Sequence, residues 1–456
     1  MYKLPPTKPA LHPKSPTESI SVETKLEVNC YPPTLAPTFG DRSKNRKWSD
    51  GISHRVASLE DTLARVLAKK DLLGITRIGN ITNVDNLRIP NYSVISPLLN
   101  FPSSPGMISV MSGKGVTLLH AKVSALMETV ERYSCIKSNN FSIQGSYSWL
   151  SKNFNVAHPS DFIVPDSFLY DNDQPMEWVH SQSLFHGDLV LVPACLVFTP
   201  YRTTEATTAF SSSTNGLASG NTIEEAALHA LLELIERDAE AIALNCDLFS
   251  SLDLEKDLPE SASELLGRFA QENIDIEVKY ITQGIDVAVF LTIIVDKTLA
   301  SVKYINGGKG AHLDPEIALL RSLTEASQSR VVGMTGIRED MPKKRGQMDA
   351  PDFQALLTKE SALFGKSPKT INFSEIQNRA SNHITDDLDY LFSELRKIGT
   401  PDVYLIDLTR KEIGIPVARV LVPGLEFEVT GNWCGPRLQE CLKRKNDSDL
   451  ELKCRS

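Results

Sequence analysis

Residues 220–237 read GNTIEEAALHALLELIER, and residues 115–132 read GVTLLHAKVSALMETVER. At an offset of 105, Gly220-Asn221-Thr222 falls on Gly115-Val116-Thr117, Ala226 on Ala121, Ala230-Leu231 on Ala125-Leu126, Glu233 on Glu128 and Glu236-Arg237 on Glu131-Arg132. A third, weaker copy, at an offset of 197 from the first, has Ala318, Leu323, Glu325 and Gln328, with Arg330 beyond it. Threonine ahead of an amphipathic run marks a helix start, and carboxylates three apart share one helix face. The repeat therefore delivers two ExxE pairs and an ExxQ to whatever surface these helices line. Like charges at that spacing repel, and a divalent metal is the simplest counter-charge.

Each copy has one shape: a strand or loop ending in Gly, a Thr or Asp at the helix start, then a helix with its acids in the middle. Val123, Met127 and Val130 in the first copy, and Leu228, Leu232 and Ile235 in the second, are placed to face the core. A single ExxE is ordinarily a solvated helix face, but three aligned copies behind small Ala residues argue for a shared site. A di-iron bundle would pair Glu with His three residues on, and here the partners are Glu, Glu and Gln. Hard oxygen ligands without imidazole or thiolate suit Mg2+, which commonly bridges carboxylates and nucleotide phosphates. Cations for phosphates lie near: Arg132 and Arg237 follow the acids, and Lys114 sits in Ser112-Gly113-Lys114-Gly115. The run from Asn215-Gly216 to Gly220-Asn221-Thr222 feeds a helix N-terminus. None of this is a Walker A sequence. His120 and His229 lie close to the acids, but His229 aligns with Ser124, so both read as structural. Cys434, without a nearby base, reads as packing.

The remainder of the chain bounds the problem. Its 456 residues are 41% hydrophobic and 23% charged, enough for one large core or two moderate ones. A net charge of -9, from 57 acidic and 48 basic residues, argues against nucleic acid as a partner. No apolar run suits a membrane span or a signal peptide, which points to a cytoplasmic location. Seven scattered cysteines without a CxxC give neither a disulfide framework nor a zinc ribbon.

Residues 1–46 carry eight prolines among Ser, Thr and Lys and read as a flexible arm. Residues 47–110 read as the N-terminal part of the folded body, 111–440 as its main domain and 441–456 as a polar tail. A capped helix starts at Ser58. Helices are expected over 117–136, 223–245, 314–331 and 385–398. Strands are expected at Ile276 to Ile281, Val403 to Leu408, and in a pair formed by Val287 to Val295 and Val302 to Ile305. Arg338 to Asp352, with Lys343-Lys344-Arg345, reads as a mobile loop near the active-site mouth that meets an acidic peptide.

The run Ser213 to Thr222, with Glu225-Ala226 and Glu233 through Glu236-Arg237-Asp238, resembles the YcaO family. So do Ser124 to Glu131-Arg132 and Thr324 through Gln328 to Arg330, in the family's order, and the resemblance extends from about Ser53 to Pro436. It implies an α+β fold of the YcaO type, a mixed α/β arrangement with internally repeated strand–helix units that is neither P-loop nor kinase-like. It also implies an enzyme that binds ATP and Mg2+ and phosphorylates a backbone amide oxygen, so that a side chain or an external sulfur donor can attack the carbonyl carbon. By position, Glu128, Glu131, Glu233 and Glu236 would be the magnesium ligands. Arg237 and Arg330 would contact phosphate, Asn221 and Glu225 would help hold the nucleotide, and Arg55 and Thr62 would stand near it with Lys114.

Azoline-forming members commonly end in a proline-rich tail that reaches the active site. This chain reads Leu450-Glu451-Leu452-Lys453-Cys454-Arg455-Ser456, with no proline after Pro436. That favours thioamide formation or ribosomal-protein modification over an azoline-forming cyclodehydratase. An inactive nucleotide-binding scaffold is the reading of another class, opposed by the intact acids and Arg237. A peptide or protein substrate is expected, together with a separate partner protein that delivers substrate or, like TfuA, sulfur; homodimerisation is left open.

Overall fold

The computed structural model describes residues 45–49, 51–97, 110–137, 142–164, 170–201, 210, 213–297, 305–335, 361–427 and 434–455, all in the unit Pro33–Ser456. The expected arm, but for its last two residues, and the whole of Arg338 to Asp352 lie outside the described residues. A short antiparallel pair, β1 (Trp48–Ser49) and β2 (His54–Arg55), leads to helix α1 (Leu59–Leu67). The Ser58 hydroxyl caps that helix by accepting from the Asp61 amide at 3.1 Å.

Three sheets follow. One is antiparallel in the order β3 (Arg77–Asn80), β4 (Asn91–Ile95), β5 (Val110–Lys114). The second runs β6 (Ile143–Gly145), β7 (Met176–Ser183), β15 (Tyr404–Asp407), β16 (Val417–Leu421), β9 (Leu217–Ser219), with β8 (Leu189–Pro193) also paired to β7. The third runs β13 (Ile305–His312), β12 (Ala288–Asp296), β11 (Ile274–Tyr280), β10 (Ser250–Leu252), β14 (Thr370–Ile371). The strands β5, β9 and β13 each end their sheet's order, and each feeds a long helix: α2 (Leu118–Ser134), α4 (Ile223–Cys246) and α6 (Pro315–Thr335). These are the three copies of the repeat. The other helices are α3 (Tyr147–Leu150), α5 (Glu260–Gln271), α7 (Ser361–Phe364), α8 (Ile384–Lys397) and α9 (Pro436–Arg455).

Helix starts follow local chemistry. Thr117 and Thr222 accept from the amides of His120 and Glu225, and Asp314 accepts from the Glu316 amide at 2.9 Å. Each helix lies on its own strand and also on the strand of the next copy: α2 on β9, α4 on β13 and α6 on β5, which closes a ring. The approach is backbone to backbone. A Cβ on Gly113 would stand 2.1 Å from the Ala125 amide nitrogen, and one on Gly310 would stand 2.1 Å from the Ala318 carbonyl oxygen. Only glycine on the strand and a small residue on the helix admit that spacing.

The pairing expected of Val287 to Val295 with Val302 to Ile305 is displaced. The partner strand β13 begins at Ile305, opposite Val295, and continues through Gly307, Gly308 and Gly310 to His312; residues 302–304 lie outside the described residues. A glycine-rich stretch carries little side-chain alternation, so nothing in its periodicity announces a strand. The need to lie against α6 explains the glycines.

Three apolar clusters fix the ring. Around α4, Leu228, Leu231, Leu232 and Ile235 pack with Val289, Leu291 and Val420. Around α2, Ala125, Leu126 and Val130 pack with Val94, Met111 and Val417. Around α6, Leu319, Leu323 and Ala326 pack with Phe269, Phe290 and Ile294. Each fully buried Leu or Phe contributes about 2 kcal/mol by leaving water. The helices are thus fixed on several sides, and their acidic faces are presented as rigid walls.

Candidate functional site

The acidic faces meet over a cavity of about 630 Å³, within the roughly 300–1,000 Å³ of small-molecule sites. Glu128, Glu131, Glu233, Glu236 and Glu325 line it, with Arg55, Thr62, Lys114, Asn221, Glu225 and Arg237. Val123, Met127, Leu228 and Leu232, expected to face the core, form part of its apolar wall.

The acids are held by strand amides. Glu128 accepts from the Ser112 amide at 3.1 Å and Glu325 from the Lys309 amide at 3.2 Å, each on its own copy's strand. Glu131 reaches the next copy, where Oε1 accepts from both the amide and the hydroxyl of Ser219 at 2.8 Å. Glu236 likewise accepts from the Ala311 amide at 3.0 Å. These bonds engage one oxygen of Glu131 and one of Glu236, and a monodentate metal ligand needs only the other.

Two classes of carboxylate result. Burial pushes Glu131 up to about 7, with repulsion from Glu128 and Glu233 adding to it and the bonds from Ser219 opposing it. Burial also raises Glu233, where Glu236 adds repulsion against the pull of Arg237, and it raises Glu236, where Glu325 adds repulsion. Glu325 goes the other way. Although it is buried, Lys114 makes a direct ion pair with it and holds it down at about 2, with help from Arg237 and Lys309. Arg237 stands 3.8 Å from Glu233 and 3.7 Å from Glu240, and Lys309 meets Glu240 at 2.7 Å. Burial works against the Arg237 charge, but Glu236, Glu233 and Glu240 outweigh it and hold the guanidinium above its ordinary value.

A second cluster closes one end. Glu225 accepts from the Val56 amide at 2.8 Å, from Arg55 at 3.4 Å and from Asn221 at 3.2 Å, and Asn221 in turn accepts from Thr62 at 3.0 Å and Arg65 at 3.1 Å. Arg55 also reaches Nδ1 of His229 at 3.4 Å. Burial and the charge of Arg55 hold His229 well below the usual imidazole range, and burial and His54 do the same for His312, so both rings are neutral.

Arg330 is a correction. It does not line the cavity; its guanidinium is buried between Asp85, 3.1 Å away, and Asp296, 2.9 Å away. The cation that α6 presents to the cavity is Arg321, nine residues earlier and so about 180° away around the helix. Arg321 occupies the place in the third copy that Ser124 and His229 hold in the other two, and extending the alignment by one turn would have found it.

The cavity chemistry fits Mg2+ with a triphosphate. The buried Nε atoms of Arg237 and Arg321 have no acceptor among the described residues, and anionic oxygens are their natural partners. Among the described residues no three His, Cys, Asp or Glu side chains close into a ready-made metal cage. Mg2+ bound with nucleotide needs no such cage, because phosphates and water complete its shell around one or two carboxylates.

A family model described as "YcaO cyclodehydratase, ATP- and Mg2+-binding" matches residues 112–426. The chain belongs to the YcaO family. Its cofactors are therefore ATP and Mg2+. An uncharacterized protein of Methanothermobacter thermautotrophicus is 33% identical over 391 residues, covering 84% of this chain and 98% of its own. One named for its place in a tfuA 3' region, from Rhizobium leguminosarum bv. trifolii, is 28% identical over 420 residues, covering 88% and 95%. The structure of YcaO from Methanopyrus kandleri bound with AMPPCP and Mg2+ superposes with a TM-score of 0.69 at 23% identity, over 86% of this chain and 98% of that one. No helix among the described residues is long and apolar enough to cross a membrane.

Proposed function

We propose that this YcaO protein uses Mg-ATP to phosphorylate a backbone amide oxygen of a peptide or protein, and that the activated amide is converted to a thioamide or an equivalent modification of a ribosomal protein. One observation carries the reading: one cavity is lined both by three carboxylates that burial raises, Glu131, Glu233 and Glu236, and by Arg237 and Arg321, whose buried Nε atoms have no acceptor among the described residues. Mg-ATP bound there would supply the phosphoryl group that is transferred to the amide oxygen, which can then leave the carbon as inorganic phosphate when sulfur attacks.

The chain's own residues bind, orient and neutralise. Glu128, Glu131, Glu233 and Glu236 are the metal ligands of this reading, and Arg237 and Arg321 take phosphate oxygens. The Arg55, Thr62, Asn221 and Glu225 network fixes the far end of the nucleotide. Holding the amide oxygen in line with the phosphoryl group is the remaining requirement, and positioning with charge neutralisation generally suffices for phosphoryl transfer. No residue need form a covalent bond to substrate. The group that attacks the carbon decides the product. The helix α9 packs on α4, where Arg437 pairs with Asp238 at 2.9 Å, and Lys445 pairs with Asp247, the residue that ends α4, at 2.7 Å. The relative named for its place in a tfuA 3' region supports an external sulfur donor delivered by a TfuA-like partner.

Mass spectrometry of a candidate peptide co-expressed with the protein and its partner tests the proposal. A sulfur-for-oxygen mass gain is expected. Loss of one water would replace the thioamide by an azoline, and an unchanged peptide with unhydrolysed ATP would point to a scaffold.

A further inference from the structure

The ring of three strand–helix units sets up three junctions, and two of them are built alike. At the α2/β9 junction a glutamate, Glu131, accepts from the amide of Ser219, a small strand residue. At the α4/β13 junction Glu236 accepts from the amide of Ala311, again a small strand residue. The third junction, α6 on β5, has other occupants at the same two places. The helix position holds Gln328 and the strand position holds Lys114. A carboxylate has been lost and an ammonium gained at one point of the ring. The ammonium is not left in the cavity as a free charge, because it is in direct contact with Glu325, one turn before Gln328 on the same helix. Glu325 is in turn the counterpart of Glu128 and Glu233.

We propose that Lys114 is a positioning residue: a built-in cation that takes, at the α6/β5 junction, the place a divalent ion takes beside the acids of the other two. By clamping Glu325 it completes the third wall of the cavity without metal. The sequence alone pointed Lys114 at phosphate, whereas the contact with Glu325 gives its charge a partner within the protein. This inference rests on reading the cavity as the Mg-nucleotide site. The physical logic is local neutrality. An ammonium carries one charge, and the single carboxylate remaining at this junction needs only one. Where two carboxylates approach, one ammonium would not suffice.

Restoring the pattern of the other junctions should therefore create a place for a metal. We would titrate Mn2+ into the nucleotide-free protein and count bound ions by electron paramagnetic resonance, at Mn2+ concentrations that saturate the wild type. Lys114→Ser combined with Gln328→Glu should bind one ion more than wild type. Gln328→Glu alone should bind the same number as wild type, because Lys114 still fills the place, and Lys114→Arg should also leave the number unchanged. An unchanged count in a folded double variant overturns the proposal, and so does an extra ion in Gln328→Glu alone, which also serves if the double variant does not fold. Failure of the underlying reading looks different: the wild type itself would take up no Mn2+, with or without nucleotide.

Discussion

Raising the pH from about 5 to about 8 should weaken the empty protein through Glu131. Its carboxyl sits against the cavity, pushed up from 4.5 to about 7 by burial and by the charges of Glu128 and Glu233. The folded state thus holds a proton that the unfolded chain releases earlier. The associated stability is complete below the unfolded value and is lost as pH rises to the folded one; above about pH 7 nothing more is lost. A shift of this size corresponds to about 3 kcal/mol, an upper bound because part of the side chain faces cavity water. Glu131→Gln removes the titration, and its amide oxygen can still accept from the Ser219 amide and hydroxyl. Urea melts of wild type and variant at both pH values isolate the effect, since groups titrating alike in the two proteins cancel in the difference. The variant should gain about 3 kcal/mol on wild type across the window, or about 3 °C in Tm for a chain of this length. A difference that stays the same at both pH values would refute the claim that Glu131 retains its proton in the fold.

Glu233→Gln should abolish ATP turnover and raise the melting temperature of the empty protein, because it removes a buried charge whose carboxyl is already raised; a lower Tm would mean the acids are neutralised by protein groups. Arg330→Met should cost about 3–5 kcal/mol by stranding Asp85 and Asp296, while calorimetry of the folded fraction finds nucleotide affinity unchanged; weakened binding would restore Arg330 to the site. Glu225→Gln loosens the charge-assisted bonds to Val56, Arg55 and Asn221 and should raise the nucleotide Kd about tenfold, measured by the same titration. Mg2+ affinity for the empty cavity should rise with pH up to about 7, by up to tenfold per unit from Glu131 alone, as metal displaces its proton; a flat profile would show that metal binds without displacing that proton.

How far the sequence reaches depends on the range of the interaction. The helices α2, α4 and α6 were legible because caps and apolar spacing are local, and the acids' shared surface was legible because a repeat implies repeated geometry. Arg55, Thr62, Asn221 and Glu225 were found only through the family resemblance. The Arg55–Glu225 and Thr62–Asn221 bonds span 170 and 159 residues, and nothing in a local period reveals that. Two features escaped for identifiable reasons. The strand β13 is written in glycines because a helix backbone lies on it. Arg330 looked like a continuation of the acidic face, yet Arg321, Glu325 and Gln328 follow the spacing of one face while Arg330 turns towards Asp85 and Asp296.

The cross-copy bonds from Ser219 to Glu131 and from Ala311 to Glu236 span 88 and 75 residues. Contacts of that separation are among the slowest a chain makes, because loop closure must come before any reward. During synthesis, a chain that has emerged only as far as α4 holds both ExxE pairs but lacks the strand that clamps Glu236 and the helix that carries Arg321. The cavity thus exists only once the third copy has joined, so nucleotide binding reports completed folding. A growing chain already carries Glu128, Glu131, Glu225, Glu233 and Glu236 while it still has no complete cavity to hold a nucleotide.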